Sequence, residues 1–137
     1  MSAWGSVGGT TIHTATHFGA PPACAAALAM LSLIDAPAAL AGIRERGAAL
    51  KAAITSQTRD RGVVAVRGPG LMIGVELEGG GGRALAVTQR LLARGYIVLT
   101  GGVRGDVLTL TPAFDVDVSL FEPFARALAE SLAERSS

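Results

Sequence analysis

The chain has 137 residues, half of them apolar and only 17% charged, with a formal net charge of +1. That length suits one domain burying roughly two-thirds of its unfolded surface, yet the charge content is low for a domain that meets water on all sides. The sequence carries no basic run and no lysine- or arginine-rich stretch interleaved with aromatics, which excludes a nucleic-acid or acidic-membrane footprint.

The shortage of charge is uneven. Residues 1–34 contain no Asp, Glu, Lys or Arg, so this first quarter is expected to face protein. Within it, Pro21 and Pro22 suit the first turn of a helix running through "ACAAALAMLSLI" to about Ile34. That helix is apolar on nearly every side and is therefore expected to be buried all round. It is too short to span a bilayer, and no Lys or Arg precedes it as in a signal peptide. Cys24, the single cysteine, cannot form an intrachain disulfide and reads as a small buried hydrophobe. A soluble protein in a reducing, cytoplasmic setting is the expectation.

Asp35 is placed to cap a second helix, in which Leu40, Ile43, Gly47, Leu50 and Ile54 form a stripe at helical spacing. Lys51, the only lysine, lies off that stripe and reads as solvated surface. The period then changes from 3.6 to 2. "VVAVR" is a strand, "GPG" a turn, and "LMIGVELE" alternates Leu71, Ile73, Val75 and Leu77 against Met72, Gly74 and Glu76. "GGGG" at 79–82 reads as a flexible connection into the helix "RALAVTQRLLAR", which Gly95 ends as a C′ glycine. "YIVLT" and "VLTLT" are two further short strands. A capping box of Ser119 with Glu122 opens the last helix, whose apolar stripe is Phe121, Phe124, Leu128 and Leu132. The resulting order is an α+β layout with helices packed on one face of a small sheet.

Candidate chemistry is sparse. His13 and His17 would share a face as metal ligands only on a helix, and their Thr-rich segment is bounded by Gly and Pro with no carboxylate near, so no metal site is expected. "RGPGLMIG" opens a strand rather than a helix, which removes the phosphate-loop reading. "GGGGR" lacks the Gly-Lys-Ser/Thr ending of a nucleotide loop. Thr14 and Thr16 precede a helix N-terminus, where a hydroxyl beside exposed N–H groups is a good phosphate ligand. A loop threonine bonding its own backbone is the alternative, and the residues alone leave both open.

The order of motifs resembles one family. "HTATHFGAPPACAAALAML" is similar to a segment of the class III (ω-type) pyridoxal-phosphate-dependent aminotransferases that reads close to His-Thr-Ser-Thr-Phe-x-Gly-Asn-Pro-x-x-Cys-Ala-Ala-Ala-Leu-Ala. "VRGPGLMIGVELE" resembles its Val-Arg-Gly-x-Gly-Leu-Met-x-Gly-x-Glu-Leu strand pair, and "LLARGYIVLTGG…VLTLTPAFDV" its Pro-Pro-Leu close. These matches run in order from about Trp4 to Leu132. The resemblance implies fold type I, with residues 1–34 as the end of the large cofactor-binding domain and 35–137 as a C-terminal α+β domain whose helices pack on a mainly antiparallel sheet. It implies that Thr16 donates to the phosphate of pyridoxal 5′-phosphate bound in the neighbouring subunit of a homodimer. His17 departs from the usual Phe or Tyr, and Ala20 from Asn. Thr109 stands where members handling ω-amino acids carry an arginine that grips a substrate carboxylate, a task a hydroxyl cannot match.

Transamination needs a lysine amine to hold the cofactor and to shuttle a proton. In the family that lysine lies upstream of the threonine, on the large domain, and it is not among these 137 residues. The resemblance therefore implies the C-terminal part of an aminotransferase acting on small amine and keto-acid substrates, inactive by itself. An aminomutase, racemase or epimerase of the same family, or a non-catalytic α+β binding module, are the alternatives.

Overall fold

The computed structural model describes residues 6–7, 10–11 and 19–134. The chain forms two compact units, Met1–Ala39 and Leu40–Ser137. His13, Thr14, Thr16 and His17 lie outside the described residues.

In the first unit, Ser6–Val7 (β1) pairs antiparallel with Thr10–Thr11 (β2). Helix α1 spans Pro21–Ile34, with the two prolines at its first positions, where a missing N–H breaks no intrahelical bond. Asp35 is the C-cap of this helix, its N–H donating to the Leu31 carbonyl at 3.0 Å, rather than the start of the next one. Among the described residues nothing buries α1, whose cover was expected from protein outside this sequence. None of its residues is buried, Leu28 and Leu33 are 67% and 59% exposed, and Cys24 is exposed with them. An apolar helix needs an apolar surface against each side, and the described residues do not supply one.

The second unit is built on a four-stranded antiparallel sheet of Val63–Arg67 (β3), Ile73–Leu77 (β4), Leu99–Gly101 (β5) and Val107–Leu110 (β6), in the order β3-β4-β6-β5. Alternation decides its two faces. Ile73 pairs with Leu110 and Val75 with Leu108, and these four with Leu77 are buried. Gly74 pairs with Thr109 and Glu76 with Val107 on the opposite face. The buried face is covered by helices α2 (Pro37–Gln57), α3 (Gly80–Ala93) and α4 (Phe121–Ala133), through Leu50 and Ile54, Val87 and Leu91, and Phe121, Leu128 and Leu132. Helices on one side of a small antiparallel sheet are the layout expected from the pattern.

Three local readings are corrected. The glycine run is not a loose connection: Gly79, with φ +88°, is the N-cap of α3, and Gly80–Gly82 are its first turn. A Cβ on Gly81 would lie 2.8 Å from the Arg104 carbonyl oxygen, so this helix start packs directly on the backbone of the β5–β6 turn. The strand expected at 96–100 begins only at Leu99. Tyr96 is held back by the end of α3, its N–H bonding the Leu91 carbonyl at 2.9 Å while the Gly95 N–H bonds that of Leu92, a Schellman closure with Gly95 at φ +86°. Finally, Ser119 does not form a capping box. Asp117 caps a 3-10 turn, Val118–Leu120, by accepting from the Ser119 N–H at 2.9 Å, and Glu122 instead accepts from Gln57 Nε2 at 3.2 Å.

Candidate functional site

The sheet face opposite α2, α3 and α4 carries the polar side chains of the second unit's strands. Its geometry follows from register. Arg67 pairs with Gly74, Gly74 with Thr109, and Thr109 with Leu99, so these four form one row across β3, β4, β6 and β5. Thr109 is half-buried at the centre of that row. Its neighbours are kept low. A Cβ on Gly101 would lie 2.7 Å from Thr109 Oγ1, and one on Gly74 would lie 3.1 Å from Val107 Cγ1. The middle of the face is thus a shallow trough with a neutral hydroxyl in it.

One end of the trough is charged. Arg67 pairs with Glu76, Glu76 also meets Arg104 Nη2 at 3.5 Å, and Arg104 Nε donates to Asp106 Oδ2 at 2.8 Å. Arg67, Glu76, Arg104 and Asp106 line an open cavity of about 360 Å³. At the β5 edge of the sheet a second cavity of about 340 Å³ is lined by Leu50, Leu110 and Phe124 of the helix-covered side together with Tyr96, Val98 and Thr109. Tyr96 meets Phe124 edge-on there, with ring centroids 5.3 Å apart. The arrangement sets a neutral hydroxyl between an apolar edge and a charge-balanced cluster of two arginines and two carboxylates.

Lys51, the one residue type able to form a Schiff base, is not part of this face. It is half-buried rather than fully solvated, and its Nζ donates to the Gly68 carbonyl at 2.8 Å. The reason lies one helical turn earlier. A Cβ on Gly47 would stand 2.0 Å from the Gly70 oxygen, so α2 and the Gly68–Gly70 turn meet backbone to backbone, and the side chain four residues on reaches the turn. A lysine one turn after a glycine in an apolar stripe was the sequence signal for this contact.

Three arginines that the sequence did not single out also have defined partners. Arg83 donates to the carbonyls of Arg61 at 2.7 Å, Glu78 at 3.2 Å and Leu132 at 3.5 Å. Arg61 reaches the Ala129 carbonyl at 3.2 Å and Arg90 that of Ser131 at 3.0 Å. All three meet the C-terminal carbonyls of α4, where a cation offsets the helix dipole. They line a cavity of about 770 Å³, and these bonds are structural.

Comparison with known proteins agrees with the motif order. The family described as aminotransferase class-III matches residues 1–132. The acetylornithine aminotransferase 1 of Bordetella parapertussis is 45% identical over 67 residues, 48% of this chain and 17% of that protein. The ornithine aminotransferase of Bordetella pertussis is 35% identical over 124 residues, 88% of this chain and 28% of that protein. Among solved structures, a transaminase variant with SMBA superposes with a TM-score of 0.68 at 28% identity over 83% of this chain and 28% of its own. A Bacillus anthracis aminotransferase gives 0.76 at 22% identity over 96% and 32%, and shows the shared fold. The chain spans less than a third of the length of each of these proteins. The α+β architecture expected for a pyridoxal-phosphate-dependent transferase is the one observed. The chain belongs to the class III aminotransferase family.

Proposed function

We infer that this chain serves as the C-terminal part of a pyridoxal-phosphate-dependent aminotransferase that moves an amino group between an amine or amino acid and a keto acid. Residues 1–34 belong to the end of a large cofactor-binding domain in this reading, and residues 35–137 form the small domain that closes over the substrate. The cofactor, when bound, supplies the electron sink for proton removal at the amine carbon. The described residues make no holding site for it. The observation that carries this point is Lys51, the only lysine of the sequence, which sits on α2 with its Nζ donating to the Gly68 carbonyl, away from the open sheet face. The Schiff-base lysine must then come from chain outside these residues. The contribution proposed for this sequence is binding: Thr16 donates to the cofactor phosphate of the neighbouring subunit in a homodimer, and the trough around Thr109 receives the substrate. Among the described residues no single helix is long and apolar enough to cross a membrane, and a cytoplasmic enzyme is the setting proposed.

The test compares the 137-residue chain with the full-length enzyme that contains it. Given pyridoxal phosphate, an amine donor and a keto acid, the chain alone is expected to retain no cofactor absorbance after gel filtration and to form no product. The full-length enzyme is expected to release a keto acid stoichiometric with the amine consumed. Thr16→Ala in that enzyme should weaken cofactor retention by roughly tenfold, the worth of one hydrogen bond to a charged group. Turnover by the chain alone, or unchanged cofactor affinity in Thr16→Ala, would overturn the assignment.

A further inference from the structure

We draw no further inference here: the strongest candidate, the open cavity that Arg61, Arg83 and Arg90 line at the C-terminal end of α4, carries nothing as an anion site, because Asp60, Glu78 and Glu134 line it too and balance the three arginines, whose guanidinium groups already donate to the last carbonyls of that helix.

Discussion

Asp117 shows how one side chain sets the entry to a helix. Its carboxylate accepts the Ser119 N–H, and that bond holds its pKa below the usual carboxylate value of 3.8. A carboxyl whose folded pKa is depressed contributes stability that is fully present above its unfolded pKa and is lost as pH falls through the folded one. The cap is therefore intact at neutral pH and fails below the ordinary carboxylate range. The protection of the Ser119 amide proton, its exchange rate by NMR divided into the intrinsic rate at the same pH, is expected to be lost only there. In Asp117→Ala protection should be absent at every pH, and an unchanged protection profile in that variant would show that Asp117 is not the cap. The sequence offered Ser119 and Glu122 as a capping box, the commoner pattern. Asp117 prevails because the 3-10 turn starts two residues earlier, and Glu122 is drawn off to Gln57.

The glycine run at the start of α3 makes the same point for an element. By propensity, three glycines in a helix cost about 1 kcal/mol each relative to alanine, so 80–82 read as a linker. In the fold the three differ. Gly81 lies against the Arg104 carbonyl, and a Cβ there would meet it at 2.8 Å; Gly82 has nothing within 4 Å. Gly81→Ala is expected to destabilise by about 1–3 kcal/mol, because rigid backbone must move. Gly82→Ala should stabilise by about 0.5–1 kcal/mol by restricting the unfolded chain. Urea denaturation of the two variants checks this, and shifts of the same sign would mean that Gly81 is not in backbone contact. The pairing of Arg67 with Glu76 is likewise a property of two strands, since Arg67 faces Gly74 and reaches its ion pair diagonally.

At the scale of the molecule, α1 is the anomaly. Leu28, Leu31 and Leu33 are each more than half exposed, on a helix with no Asp, Glu, Lys or Arg. Contiguous apolar surface of that kind marks a face made for protein contact. The 137-residue chain by itself is expected to self-associate in analytical ultracentrifugation and to bind an apolar dye. Leu28→Glu with Leu31→Glu should reduce both while leaving the melting of the sheet unit unchanged. A monomer that binds no dye would show that α1 is covered in some other way.

Much of this protein was already determined by its sequence. The period-2 run Ile73, Val75, Leu77 and the period-3.6 run Phe121, Leu128, Leu132 dictated a buried sheet face and a helix lying on apolar residues, because burial is decided by which side chains share a face. The ordered motifs from about Trp4 to Leu132 indicated the family. What only the tertiary structure decided were contacts between segments distant in sequence. Lys51 meets the Gly68 carbonyl, Gly81 meets Arg104, and Arg67 shares a cross-strand row with Thr109 because β6 pairs with β4. No local period encodes which strand lies beside which. That choice comes from how the helices and the sheet bury one core, and it is what brings a cation and a hydroxyl to the same open face.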